Sequence, residues 1–397
     1  MNTAAFLGGL SLLAALGLGA PQAHAQALAQ TQAQTNAPAG RRGGPGGGRG
    51  QSLVSPEIHA DRTVTFRVRA ANATNVTVAG EMPGGSRSLT RDERGVWSVT
   101  MGPLEPNIYS YSIAVDGFRT ADPSNSKLKP EPGPTTSMFQ IRGEPPLLHD
   151  LQDVPHGVVS LLEYPSKSLG KLRYARVYTP PGYEKGGRAK FPILYLLHGS
   201  GDNEGTWSDF GHAHVILDNL LAQKKIKPMI VVMADGHAAY AQVPATNAGA
   251  ATGRFVAPFE HDLLEDLLPL VEGRYRVRSG RENRAIVGLS MGGGQALGIG
   301  LNHLELYAWV GGMSSAVGDP NTTLACLAAD PKATNEKLKL LWFACGKADS
   351  LLGRNQQLDD WLKQHNLNHE FIQTEGGHAW PVWRNNLAQF TPLIFGK

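Results

Sequence analysis

Between residues 52 and 142 apolar and polar side chains alternate. In the run Thr63-Val64-Thr65-Phe66-Arg67-Val68-Arg69, the residues Val64, Phe66 and Val68 share one face, which is the period of a half-buried strand. Tyr109, Tyr111, Ile113 and Val115 repeat the pattern, and Asp116-Gly117 then supplies a hairpin turn whose positive φ angles suit Gly. Val76 with Val78, and Trp97 with Val99 and Met101, mark further short strands, so this stretch predicts a small antiparallel β-sandwich. From residue 156 to 397 the pattern changes. Continuous apolar runs at 191–197, 229–234, 284–289, 307–310 and 338–344 read as strands buried on both faces. Helical spacing lies between them at 215–222, 259–271 (kinked or split at Pro269), 293–301 and 358–362. That alternation predicts an α/β domain: a mostly parallel sheet with helices on both faces and ligands at the carboxyl ends of the strands.

The two ends of this pattern carry little core. Residues 4–18 form an apolar run too short to span a bilayer comfortably, and Ala23-His24-Ala25 follows as a small-x-small cleavage pattern. Residues 1–25 are therefore expected to be a signal peptide and the mature chain to be secreted or periplasmic, although Met1-Asn2-Thr3 lacks the usual Lys or Arg. Residues 26–51 are Ala/Gln-rich and then Gly/Arg-rich, the composition of a flexible spacer. A second linker, 143–155, begins with the prolines of Glu144-Pro145-Pro146. The 397 residues are 41% hydrophobic, enough to bury real cores, and 37 Lys plus Arg stand against 34 Asp plus Glu. A net charge of +3 without basic runs gives no footprint for nucleic acid. No later segment is apolar enough to cross a membrane. Cys326 and Cys345 are too few for a disulfide framework or a four-thiolate zinc site, and whether they pair is left open.

The chemistry is concentrated at the ends of the apolar runs. Ala285-Ile286-Val287 leads into Gly288-Leu289-Ser290-Met291-Gly292, a G-x-S-x-G placed after a strand and before a helix. A serine hydroxyl needs a base to act as nucleophile, and a strand–turn–helix corner presents it to one. Downstream, the run ending in Cys345-Gly346 is followed by Lys347-Ala348-Asp349, and Glu370-Phe371-Ile372-Gln373 by Gly376-Gly377-His378. Ser290 is assigned as nucleophile, His378 as general base and then acid, and Asp349 as the carboxylate that orients the imidazole. Asp319 and Asp330 have no strand directly before them, and surface exposure accounts for His365 and His369. Two backbone N–H groups are needed for the oxyanion. Met291 is one, and Ser200, in Leu196-Leu197-His198-Gly199-Ser200-Gly201, is the other. His198 reads as support for that loop. His212-x-His214 has no convincing third ligand, so no metal or other cofactor is expected.

At these residues the domain resembles the esterase D-like branch of the α/β-hydrolases, and within it carbohydrate esterase family one. That group includes feruloyl and acetylxylan esterases, S-formylglutathione hydrolase and mycolyltransferases. The matching pieces are Tyr178-Thr179-Pro180-Pro181-Gly182-Tyr183, Leu196-Leu197-His198-Gly199, Gly288 through Gly293, Cys345 through Asp349, and Gly376-Gly377-His378-Ala379-Trp380. Ala379 stands where relatives often carry Thr. Residues 52–142 resemble the early-set, immunoglobulin-like modules found ahead of isoamylases and some exported esterases. The resemblance implies an exported serine carboxylesterase acting on feruloyl or acetyl esters of plant cell-wall carbohydrate, or on small aromatic esters.

Substrate contacts are less determined. Trp207, Tyr240 and Trp380 are candidates for an acyl or sugar pocket, and core packing accounts for both tryptophans equally well. Trp97 is likewise either a sugar platform or a core residue. The sandwich is read as orienting or shielding the catalytic cleft. The alternatives are a siderophore-ester hydrolase or acyltransferase of the same fold, or a non-catalytic carbohydrate-binding protein.

Overall fold

The computed structural model describes residues 53–238 and 253–396. The expected leader (1–25), the spacer (26–51) and Tyr240 lie outside the described residues. Strands β1 (Glu57–Ile58), β2 (Val64–Arg69), β3 (Val76–Gly80), β4 (Arg87–Ser88), β5 (Thr90–Arg91), β6 (Val96–Met101), β7 (Asn107–Val115), β8 (Phe118–Thr120) and β9 (Ser137–Ile141) come first. They form two antiparallel sheets, ordered β1-β2-β6-β5 and β4-β3-β7-β8, with β9 also on β7. The alternating residues of both sheets meet in one core that buries Val64, Phe66, Val76, Val78, Tyr111 and Ile113 completely. Asp116 and Gly117 both take positive φ at the β7–β8 turn, the backbone that a two-residue hairpin with right-handed twist requires. Trp97 belongs to this core and donates its indole N–H to the Ala70 carbonyl at 2.8 Å, so it offers no platform to a sugar.

The larger sheet contains β10 (Val158–Ser166), β11 (Lys171–Thr179), β12 (Ile193–Leu197), β13 (Ile230–Ala234), β14 (Arg284–Leu289), β15 (Trp309–Met313), β16 (Leu340–Gly346) and β17 (Glu370–Thr374). Its order is β10-β11-β13-β12-β14-β15-β16-β17, with the first two strands antiparallel and the rest parallel. The five long apolar runs fall on β12 to β16. Short α1 (Thr206–Asp209) and then α2 (Ala213–Ala222) follow β12, and α3 (Gly253–His261) and α4 (Leu268–Arg274) precede β14. Next come α5 (Met291–Asn302), the short α6 (Pro320–Thr323), α7 (Ala325–Ala329) and α8 (Pro331–Lys337), then α9 (Leu352–Gln364) and α10 (Trp380–Phe390). Residues of α3, α4, α5 and α9 pack with Ile193, Tyr195 and Leu197 on one side of the sheet. Those of α2 and α10 pack with Leu194 and Leu196 on the other. The helix expected over 259–271 is not split: helical backbone runs on from α3 into α4, and the disturbance lies just before Pro269. A π-helical segment, Asp262–Leu267, forms this wider turn and accommodates Pro269, which follows it in α4 and has no N–H to give.

The stretch 143–155 is tied down. The Asp150 carboxylate accepts from the Gln140 side chain and from the Gly143 and Leu147 N–H groups, while Asn219 of α2 donates to the Leu148 and Asp150 carbonyls. Ile108 of β7 is buried in the same apolar cluster as α2 and α10. Arg384 of α10 is buried and donates to Asn107 Oδ1, Ile108 O and Phe210 O. Leu53–Lys397 accordingly forms one compact unit. Among the described residues no helix is long and apolar enough to cross a membrane.

Candidate active site

Strand β14 ends at Leu289 and α5 begins at Met291, so a single residue makes the corner. That residue, Ser290, is held at φ 52 and ψ −115, a backbone that few L-residues adopt and that turns its side chain out of the sheet. The corner closes only because its neighbours lack a Cβ. One on Gly288 would lie 2.3 Å from Gly292 O, and one on Gly292 would lie 2.3 Å from His198 O. Ser290 N–H donates to Met313 O on β15, and Ser290 O accepts from Gly294 and Ala316, which locks the strained residue in place.

The base arrives on the loop after β17. His378 Nε2 lies 3.0 Å from Ser290 Oγ, and its Nδ1 lies 3.0 Å from each oxygen of Asp349. A carboxylate only accepts, so Nδ1 carries the proton and Nε2 is left to accept from the serine hydroxyl. The Asp349 carboxylate is fully buried while the imidazole keeps a third of its surface exposed. Asp349 Oδ1 also accepts the Leu351 N–H at 2.8 Å. The two loops are stitched together by Ala348 N–H donating to Gly376 O, an approach that leaves no room for a Cβ on Gly346. Trp383 stands edge-on to His378, with ring centroids 4.9 Å apart, and donates its indole N–H to Ser314 Oγ. Burial, then the neighbouring Asp349 carboxylate, push the Cys345 thiol up to about 12, so it stays protonated beside the site.

The loop after β12 lies against the same corner. A Cβ on Gly199 would stand 2.6 Å from the Leu289 side chain and 3.4 Å from Ser290 Cβ; its φ is ordinary, so closeness rather than turning demands glycine here. Asp202 N–H donates to Gly199 O at 3.3 Å, closing a turn that exposes Ser200. Met291, directly after Ser290, is the first residue of α5, where N–H groups lack intrahelical acceptors and the helix dipole favours negative charge. His198 is buried and its Nε2 accepts the Gly236 N–H at 2.8 Å, so its Nδ1 donates to Gly199 O at 2.8 Å. It is a strut between two loops. The Gly236 loop is itself fixed by buried Arg173, which donates to Asp235 O and His237 O and pairs with Asp262.

The two tryptophans do not reach a ligand in this arrangement. Trp207 is 1% exposed and donates its N–H to Leu197 O, and Trp380 is 3% exposed and packs edge-on against Trp207, Phe210 and Trp383. Their proximity in sequence to the oxyanion loop and to His378 reflects a shared core beneath the site. They are floor, not wall, and this corrects their reading as substrate contacts. Trp383, in the first turn of α10, is the aromatic beside the imidazole.

The other candidates have local duties. Asp319 and Asp330 cap α6 and α8, accepting from Asn321 and Ala333. His365 rests on Trp361, and His369 binds Asp359. His212 Nδ1 donates to His149 O, and burial lowers the affinity of both His212 and His214 for protons. Cys326 is exposed and Cys345 buried, and both are free thiols.

Residues 166–394 match the model of the Esterase family. An endo-1,4-β-xylanase/feruloyl esterase of Xylanibacter ruminicola is 32% identical over 358 residues, covering 86% of this chain and 46% of that one. The chain spans about half the length, or less, of the first curated relatives it matches. Among solved structures, a ferulic acid esterase is 28% identical with a TM-score of 0.52, covering 61% of this chain and 99% of its own. The enterobactin esterase of Shigella flexneri shares the fold at 20% identity and a TM-score of 0.57, over 83% of this chain and 92% of its own, which is too much to be confined to the larger sheet. With a serine corner, an α/β-hydrolase sheet and a family match over more than half its length, the chain belongs to the Esterase family.

Proposed function

We propose that this protein hydrolyses carboxylic esters carried by carbohydrate, with feruloyl and acetyl as leading acyl groups, through an acyl-enzyme on Ser290. The observation that carries the reading is the hydrogen-bonded line from Asp349 through His378 to Ser290 Oγ at the end of β14. His378 Nε2 takes the hydroxyl proton as Oγ attacks the ester carbonyl, and Asp349 stabilises the imidazolium that forms. The carbonyl oxygen becomes an oxyanion beside the Met291 and Ser200 N–H groups, and such donors are each worth roughly 10²–10³ in rate. His378 then passes the proton to the leaving alcohol. Water, activated by the same imidazole, releases the acid and restores Ser290.

The acyl preference follows the named activity of the xylanase/feruloyl esterase relative and of the 28%-identical ferulic acid esterase. Export, through a leader at residues 1–25, is part of the same reading, since cell-wall esters lie outside the cell. A panel of methyl ferulate, acetylated xylan, acetylated sugars, a catecholate siderophore ester and short p-nitrophenyl esters tests it. The expected outcome is kcat/KM highest on a feruloyl or acetyl ester. Preference for the siderophore ester, or inertness to the whole panel, would overturn the substrate assignment. Sequencing the mature N-terminus tests export, and an intact Met1 would contradict it.

A further inference from the structure

Asp202 sits in the turn that carries Ser200, and its side chain is only 5% exposed. Its charge is met from the other part of the fold: Lys129 Nζ lies 2.6 Å from Asp202 Oδ1, with the lysine side chain itself 13% exposed. Lys129 belongs to the connection between β8 and β9, where its N–H donates to Thr136 O at 2.9 Å. The next residue, Pro130, accepts at its carbonyl from Thr206 Oγ1 at 2.7 Å, and that same oxygen accepts the Asn203 N–H at 3.0 Å. The connection thus grips residues 202–206 twice, through an ion pair and through a neutral hydrogen bond. On the near side of the turn, Asp202 N–H donates to Gly199 O, and on the far side His198 holds that same carbonyl.

A buried lysine–carboxylate pair adds little net stability, but removing one partner leaves a charge that must reach water or find another donor. Asp202 also closes the Ser200 turn through its N–H on Gly199 O, so a shift of this residue toward water disturbs that turn. That turn carries Ser200, the oxyanion donor of the ester-hydrolase reading, next to Gly199, where a Cβ would stand 3.4 Å from Ser290 Cβ, and oxyanion hydrogen bonds tolerate only small displacements.

We propose that Lys129 is a positioning residue for ester hydrolysis: from the N-terminal sheets it fixes Asp202 and thereby the Ser200 oxyanion donor. The proposal rests on the ester-hydrolase reading above. Its test uses the full chain and p-nitrophenyl acetate, a substrate chosen so that a loss reports on the loop and not on contacts to a large substrate. Lys129→Met should lower kcat tenfold or more with KM within about twofold, at an unchanged circular dichroism spectrum. Lys129→Arg, which keeps the charge, should recover most of the loss. Lys129→Met combined with Asp202→Asn should be no worse than Lys129→Met alone, because the unpaired charge is gone. Unchanged kcat in Lys129→Met, a loss seen only as raised KM, or additive losses in the double variant would overturn the proposal. If Lys129→Met does not fold, Lys129→Arg and Asp202→Asn decide it by the same kcat and KM criteria. A Ser290→Ala control run beside them separates the two readings: full activity there sinks the serine mechanism itself, whatever the lysine does.

Discussion

His378 has three neighbours, and each fixes a different property of the ring. Asp349 fixes the tautomer, Ser290 is the group to be deprotonated, and Trp383 limits the ring's tilt from the side. Replacing Asp349 by Asn preserves shape but offers an N–H to Nδ1, favouring the tautomer whose Nε2 cannot accept. Asp349→Asn should therefore lower kcat by roughly 10³–10⁴ with the fold intact. Steady-state kinetics checks this; a loss under tenfold would mean that another group orients the imidazole. The order Ser290, Asp349, His378 was readable because each follows a strand, β14 and β16 buried and β17 a half-exposed edge, and strand ends are where such a sheet presents side chains. Trp383 was not readable, because nothing in a helical Trp-Pro-Val-Trp run says which indole turns toward the loop before it. Trp207 and Trp380 misled for the same reason: nearness along the chain to Ser200 and His378 placed them beneath the site, in the core.

At the level of elements, the helix that follows His378 begins badly. Ala379 is the N-cap of α10, with extended backbone (φ −150, ψ 155) but no side-chain oxygen to accept from the first turn. Ala379→Ser or Ala379→Thr supplies one and should stabilise the fold by about 1 kcal/mol, as caps typically do. A rise in thermal midpoint supports this; a fall would show that the position cannot hold a hydroxyl. The β10–β11 hairpin escaped the sequence reading on physical grounds. Val158 and Leu161 on the edge strand β10, and Leu172 and Tyr174 on its neighbour β11, point to solvent, so apolar residues lie on both faces and the period-two signal is blurred. Strands β12 to β16 are apolar but for Arg284 at the start of β14 because helices cover both sides, which is why their positions were legible to within a few residues. A disturbance of the helix at Pro269 was legible. Its π-helical form was not, because proline fixes only its own backbone and the missing N–H.

Across the whole molecule the N-terminal sheets and the larger sheet are held by groups the pattern of strands could not reveal. Arg384, Lys129 and a buried histidine at residue 149 all lie along their junction. Burial, and then the charge of Arg384, lower His149 to about 4, below the ordinary histidine value of about 6.5. The native state therefore binds fewer protons than the unfolded chain between these values. Stability is lost as the pH falls from about 6.5 toward 4, and His212 and His214, lowered by burial, act in the same direction. The thermal midpoint should drop over that window, and His149→Asn should make the drop shallower. An identical pH profile in the variant would place the acid sensitivity elsewhere.

The central claim is that Ser290 is the nucleophile, activated by His378, and intact-protein mass spectrometry after treatment with a fluorophosphonate tests it most directly. The account predicts one added phosphonyl group per chain, mapped to the peptide containing Ser290, absent in Ser290→Ala and slowed in His378→Ala. Stoichiometric labelling at another residue, or equal labelling of Ser290→Ala, would contradict it.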